Sequence, residues 1–215
     1  MGLKPFKDCH LYAFIDSAYL DGRAPDELAR ELCEGGADII QLRAKDRPAN
    51  DLLRWAELVR PITRAARVWL VINDYPEVAA QTQSDCLHLG QEDFFDAGFT
   101  TAAEVAQGRF ALGLSTHTPE QCLRAVAAGP DYVAIGPVFP TATKPGRQAV
   151  TLDYVRWAAK NVTLPWFAIG GITLDNVEQV REAGATRICV VGAILRASNI
   201  SRACREFRQR ITLGQ

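Results

Sequence analysis

The sequence predicts an α/β fold, a single-domain (β/α)8 TIM barrel, and three observations carry that expectation. Apolar runs of about four to six residues alternate with longer amphipathic segments along the chain, the signature of βα units around a parallel sheet. Eight such runs can be counted, the number a closed barrel needs. Polar and charged residues gather after these runs, while the segments leading into them are glycine-bearing and chemically plain. A TIM barrel divides its faces in that way, with chemistry beyond the C-terminal strand ends and stability below.

In chain order the strand candidates are residues 11–15, 39–43, 68–73, 86–89, 111–115, 132–136, 166–169 and 187–191. Helical periodicity fills 25–33, 50–66, 119–127, 152–160, 174–183 and 198–211, and more faintly 101–107. Three helix-to-strand junctions share one form: Gly35-Gly36-Ala37-Asp38, Ala128-Gly129-Pro130-Asp131 and Ala183-Gly184-Ala185-Thr186. Glycine just past a helix ends it there. A doubly wound open sheet would also hold ligands beyond its strand ends. Eight runs, and no Gly-x-Gly-x-x-Gly after the first of them, favour the barrel.

The 215 residues are 48% hydrophobic, enough for one sizeable core. One domain over 1–215 is expected, with 1–10 as an N-terminal extension and 11–213 as the core. With 24 basic and 25 acidic residues the net charge is −1, which gives no electrostatic footprint for nucleic acid or an anionic membrane. The six cysteines are scattered without a Cys-x-x-Cys pair and read as reduced, mostly buried thiols. No leader-like opening and no stretch near the roughly 18 apolar residues of a membrane span is present. A cytoplasmic enzyme acting on small molecules is expected, and monomer and homo-oligomer both stay open.

Candidate chemistry lies after the strands. In Gln41-Leu42-Arg43-Ala44-Lys45 the strand period of two puts Gln41, Arg43 and Lys45 on one face. Two cations and an amide inside a barrel are expensive to bury without an anion, whereas a strand ending at Leu42 would leave both cations in water. Asn73-Asp74 and Gly90-Gln91-Glu92-Asp93 follow the third and fourth strands and set Asp74 and Asp93 on adjacent loops. Carboxylates so placed invite Mg²⁺, which takes one or two of them and finishes its shell with water and phosphate oxygens. Turn and helix-cap preferences would equally put Asp and Asn there.

Ser115-Thr116-His117 follows the fifth strand, where Ser115 can donate to a phosphate; His117 and His88 are read as structural. After the sixth, Gly136-Pro137-Val138-Phe139-Pro140-Thr141-Ala142-Thr143-Lys144-Pro145-Gly146 is long for a βα loop, holds two hydroxyls and a cation between prolines, and could close over phosphates. A rigid ligand-free turn is the plainer alternative. Gly170-Gly171-Ile172 and Gly192-Ala193-Ile194 follow strands seven and eight, the loops on which TIM barrels frequently bind phosphate through backbone N–H groups.

In this order and spacing the blocks 41–45, 73–74, 88–93, 113–117, 136–144, 168–172 and 190–194 resemble the thiamine-phosphate synthase family. The resemblance implies a transferase barrel that couples 4-amino-5-hydroxymethyl-2-methylpyrimidine diphosphate with 4-methyl-5-(2-hydroxyethyl)thiazole phosphate and releases pyrophosphate. By position it implies that Asp74 and Asp93 hold one Mg²⁺, and that Arg43, Lys45, Asn73, Ser115 and Lys144 surround the diphosphate. Of these, Arg43, Lys45, Ser115 and Lys144 are expected to act in catalysis. Gln41 matches the family's pyrimidine-reading amide; Thr141, Thr143, Gly171, Val191 and Gly192 match its thiazole-phosphate site. Tyr75 stands where many members carry Arg, Gly192 where many carry Ser, and Phe94-Phe95 is unusually apolar for a helix start. Two rival readings are a thiazole tautomerase, which shares the glycine turns and needs neither metal nor diphosphate, and a non-catalytic phosphate-binding barrel.

Overall fold

The eight apolar segments become β1 (Leu11–Asp16), β2 (Ile39–Arg43), β3 (Trp69–Asn73), β4 (Cys86–Gly90), β5 (Ala111–Thr116), β6 (Tyr132–Ile135), β7 (Trp166–Ile169) and β8 (Ile188–Cys189). They pair in parallel in sequence order, and β8 closes on β1 through Leu11–Ile188 and Tyr12–Cys189. The computed structural model describes residues 2–140 and 150–213 of the chain. Helices α1 (Pro25–Glu34), α2 (Ala49–Ala66), α3 (Pro76–Gln81), α4 (Gln91–Asp96), α5 (Ala102–Ala106), α6 (Pro119–Ala127), α7 (Thr151–Asn161), α8 (Val177–Glu182), α9 (Gly192–Leu195) and α10 (Ile200–Thr212) fill the intervals. The single-domain TIM barrel expected from sequence is the fold.

Strand alternation divides the apolar residues into two layers. Leu11, Ile40, Leu42, Leu70, Ile72 and their counterparts face outward against the helices, whereas Tyr12, Phe14, Ile39, Val71, Cys86, Tyr132, Phe167 and Cys189 fill the barrel. The Tyr132 ring lies over Gly113 on the neighbouring strand, where a Cβ would stand 2.1 Å from Tyr132 Cζ. Only glycine at 113 leaves room for that tyrosine. Burial pushes the Cys86 and Cys189 thiols well up, which keeps them protonated and inert.

Residues 4–10 close the bottom of the barrel. Phe6 stacks on Trp69 at 4.2 Å and approaches Tyr132 at 4.9 Å. Asp38, 5% exposed, anchors the same end. It accepts from Lys4 Nζ at 2.7 Å, Arg208 Nη1 at 2.6 Å, and the backbone N–H groups of His10 and Leu11 at 2.8 and 3.2 Å.

The structure differs from the sequence reading where elements are short. Helices α3, α4 and α9 have six, six and four residues and are too brief to show a period. Residues 174–176 turn before α8 because Asn176 accepts from Thr173 N at 2.8 Å and donates to Gly171 O at 2.9 Å. Residue 191 leaves the eighth strand to cap α9. Phe94 is buried, its ring meeting Phe95 edge-on at 5.0 Å, and Arg124 of α6 sits 3.6 Å over the Phe95 ring. That pair accounts for the apolar start of α4: it fastens α4 to α6.

Candidate active site

The C-terminal ends of the strands surround a cavity of about 460 Å³, a volume suited to a small-molecule ligand. Gln41, Arg43, Asn73 and Ser115 line it on one side, and Gly171, Val191 and Gly192 on the other. Seven candidate residues from position 41 to position 192 therefore share one cavity, because they lie at the ends of five strands, β2, β3, β5, β7 and β8, that open on one rim.

Gln41 is 2% exposed, and its Nε2 donates to Tyr12 Oη at 2.6 Å. Arg43 ends β2 opposite Asp16 in the register of β1. Its Nη1 donates to Asp16 Oδ2 at 2.7 Å, with the side chains 12% and 0% exposed. A buried carboxylate thus offsets this cation and fixes its direction, and the remaining guanidinium N–H groups are left for a ligand. Sequence reading missed Asp16. Its signal was there: an acid closing an otherwise apolar run, Leu11-Tyr12-Ala13-Phe14-Ile15-Asp16.

Lys45 lies in the turn after β2, and its Nζ pairs with Asp74 Oδ2 at 3.1 Å. Asp74 sits at φ 69°, a left-handed conformation that swings it out of line from β3 while its N–H donates to His88 O at 3.0 Å. Asp93 lies in the first turn of α4, its carboxylate folded over Gly90, where a Cβ would be 2.6 Å from Oδ2. The two carboxylates follow adjacent strands. No cluster of three His, Cys, Asp or Glu converges among the described residues. Lys45, Asp74 and Asp93 are not among the residues that line the cavity, although Asn73, next to Asp74, is. Two hard oxygen donors after adjacent strands suit Mg²⁺ that shares its shell with substrate phosphate more than a caged structural metal. Thr141, Thr143 and Lys144 lie outside the described residues.

Both histidines make the structural hydrogen bonds expected of them, and both also line the cavity. His88 points into the barrel, its Nε2 2.7 Å from Ser115 Oγ and its Nδ1 3.0 Å from Tyr132 Oη. His117 Nδ1 donates to the Gly136 carbonyl, and its Nε2 lies 3.9 Å from the Glu92 carboxylate.

The glycine turns are shaped by their neighbours. Gly171 adopts φ 64°, and a Cβ there would meet Pro140 O at 2.6 Å and Phe139 Cβ at 2.7 Å. Its backbone is therefore held against the loop after β6. Gly192 faces Tyr19, whose ring also carries the Arg196 guanidinium at 4.8 Å. Tyr19 and Arg196 line the cavity too, and nothing in the sequence pattern singled them out.

A family model described as thiamine monophosphate synthase matches residues 11–194. A thiamine-phosphate synthase of Thermus thermophilus is 48% identical over 180 residues, covering 82% of this chain and 84% of that protein. That of Acidothermus cellulolyticus is 41% identical over 206 residues, 95% of each. The solved structure of a thiamine phosphate pyrophosphorylase from Pyrococcus furiosus superposes with a TM-score of 0.83 at 27% identity, over 97% of this chain and 98% of that one. Match, identity and shared barrel span the strands that build the cavity: the chain belongs to the thiamine-phosphate synthase family.

Proposed function

We propose that the cavity binds 4-amino-5-hydroxymethyl-2-methylpyrimidine diphosphate and 4-methyl-5-(2-hydroxyethyl)thiazole phosphate together and joins them, releasing pyrophosphate. One observation carries the reading: an amide, a guanidinium and a hydroxyl line the same cavity as two glycine turns. The polar wall suits the aminopyrimidine and its diphosphate, and the glycine wall leaves backbone N–H groups open to a monophosphate.

In this reading Gln41 reads the pyrimidine. Arg43, Lys45, Asn73, Ser115 and Lys144 surround the diphosphate, and Thr141, Thr143, Gly171, Val191 and Gly192 take the thiazole phosphate. Asp74 and Asp93 would hold Mg²⁺, which supplies charge neutralisation on the diphosphate when bound. Arg43 is braced by Asp16 and Lys45 by Asp74, so both cations are oriented before the ligand arrives.

Ser115 Oγ does lie 2.7 Å from His88 Nε2, but the partner of His88 Nδ1 is the Tyr132 hydroxyl at 3.0 Å and not a carboxylate, so these residues form no Ser-His-acid triad. The chain's own groups instead suit departure of a leaving group. The C–O bond to the pyrimidine's exocyclic CH₂ breaks, its electron pair leaves with pyrophosphate, and the cation left behind is delocalised by the 4-amino group. The thiazole nitrogen then donates its pair to that carbon. Arg43, Lys45, Ser115 and Lys144 stabilise the charge gathering on the departing oxygen. A cytoplasmic setting accords with these substrates, and no helix among the described residues is long and apolar enough to cross a membrane.

The test is direct: purified chain, Mg²⁺ and both substrates should yield thiamine phosphate and pyrophosphate in equal amounts. A thiazole tautomerase would release no pyrophosphate, and a binding barrel would form neither product.

A further inference from the structure

A chain of hydrogen bonds crosses the barrel beneath the cavity and joins its two polar ends. It runs from Gln41 Nε2 to Tyr12 Oη at 2.6 Å, then to Tyr132 Oη at 2.9 Å. From there it passes to His88 Nδ1 at 3.0 Å, and His88 Nε2 reaches Ser115 Oγ at 2.7 Å. The five residues come from β1, β2, β4, β5 and β6. Tyr12 and Tyr132 are 1% and 0% exposed, so neither phenol can turn to water for an alternative partner. Gly113 exists in this position to admit the second of them.

Each phenol carries one proton, and although Tyr132 also meets the Cys86 thiol, a weak hydrogen-bond partner, the arrangement in which each phenol both accepts and donates along the chain has only two directions. Burial pushes both phenols well above their usual range and keeps them protonated. With Gln41 Nε2 donating, Tyr12 must give its proton to Tyr132, and Tyr132 must give its own to His88 Nδ1. His88 is then the Nε2–H tautomer and donates to Ser115 Oγ. The serine proton is left for the cavity, as is the Gln41 carbonyl. Reversed, the same chain would offer the cavity an NH₂ at Gln41 and an acceptor at Ser115.

We propose that Tyr12, Tyr132 and His88 are positioning residues that lock the polarity of Gln41 to that of Ser115, so that an anion held at Ser115 selects a pyrimidine bearing an amino donor at Gln41. The inference rests on the substrate reading above and deepens it. A diphosphate oxygen accepts and never donates, so it requires the serine proton and fixes the whole chain in the first direction. The Gln41 carbonyl then faces the ligand and meets a 4-amino group. The 4-oxo pyrimidine diphosphate, whose carbonyl presents an acceptor where the amine gave a donor, is rejected because the buried amide cannot turn over to meet it.

Tyr132→Phe removes one hydroxyl at nearly constant volume and cuts the chain between its ends. Three ligands are compared by titration and turnover: inorganic pyrophosphate, the 4-amino pyrimidine diphosphate and its 4-oxo analogue. The expected result is a pyrophosphate Kd changed by less than about twofold, while the amino-to-oxo ratio of kcat/KM falls by about tenfold or more. Tyr12→Phe breaks a different link and should lower the same ratio. An unchanged ratio in either folded variant overturns the proposal. A second measurement needs no variant: the ¹⁵N shifts of His88 in labelled wild-type protein saturated with inorganic pyrophosphate should report the neutral Nε2–H tautomer. The Nδ1–H form or the cation would sink the polarity argument. Wild-type protein that binds pyrophosphate with the expected tautomer but turns over neither pyrimidine would instead overturn the substrate reading and leave the relay standing.

Discussion

The Tyr19 ring stands 3.3 Å from the point where a side chain on Gly192 would begin. A side chain at 192, where the family resemblance expects serine, would crowd that ring, over which the Arg196 guanidinium lies at 4.8 Å. Gly192 is not in the left-handed region, so serine costs no backbone strain and only crowds the ring. Gly192→Ser should fold with an unchanged melting temperature and raise the thiazole-phosphate KM about threefold, leaving the pyrimidine KM alone. Adding Tyr19→Leu should return the KM to its starting value. Steady-state kinetics with each substrate varied in turn decide it, and an equal rise in both KM values would count against the assignment of this wall.

Asp16 makes a different kind of prediction, because it is completely buried and its partner Arg43 is nearly so. Its Oδ1 also accepts from Ala18 N at 3.0 Å and so shapes the turn after β1. Neutralising one member of a buried pair leaves the other charge uncompensated, which costs about 3 kcal/mol in comparable cases. Asp16→Asn should lower stability in urea by about that amount. It should also reduce kcat/KM, since Arg43 loses the buried carboxylate that fixes its direction toward the cavity. A variant of wild-type stability would show that Arg43 finds its orientation elsewhere.

These two cases mark how far the sequence could be read. The barrel was legible because eight apolar runs and their polar sequels obey period and direction, rules that depend on neighbours in the chain. Gln41, Arg43, Asn73 and Ser115 were legible for the same reason: they close strands, and strand ends share one rim. Asp16, Tyr12 and Tyr132 were not, because their meaning is a partner 27 or 120 residues away across the barrel. Gly171 was read as a phosphate turn from its place after the seventh strand. The structure adds that its left-handed φ and its contact with Pro140 would make any side chain there a folding defect before it touched a ligand. Residues 91–96 and 192–195 escaped as helices because one turn carries no period.

Asp38 predicts the acid limit of the fold. Burial alone would raise its pKa, but Lys4, the His10 and Leu11 amides and Arg208 outweigh that and hold the carboxyl below the usual range. A depressed folded-state pKa stabilises the protein above the unfolded value, and the benefit is lost as pH falls below about 4. Asp38→Asn should therefore be less stable than wild type by about 2 kcal/mol at pH 7, with the gap narrowing below pH ~4. Urea midpoints at pH 7, 5 and 3 test this; a gap independent of pH would mean that shape, not charge, matters at this end of the barrel.

The last prediction concerns how the diphosphate leaves. If bond cleavage precedes attack, the groups around the departing oxygen matter most when charge has gathered there, so their loss must appear in kcat more than in KM. Lys144→Ala should lower kcat about a hundredfold, equivalent to about 3 kcal/mol, while the pyrimidine KM rises no more than about threefold. Asp93→Asn separates the metal from this cation. Asp93 is exposed, so the variant should keep its melting temperature, yet need about tenfold more Mg²⁺ for half-maximal rate. Replacing the pyrimidine 2-methyl with trifluoromethyl withdraws electrons from the cation, and single-turnover rates should fall steeply in wild type and Lys144→Ala alike. Rates indifferent to that substituent would require the thiazole nitrogen to displace pyrophosphate directly, with bond making and bond breaking in one step.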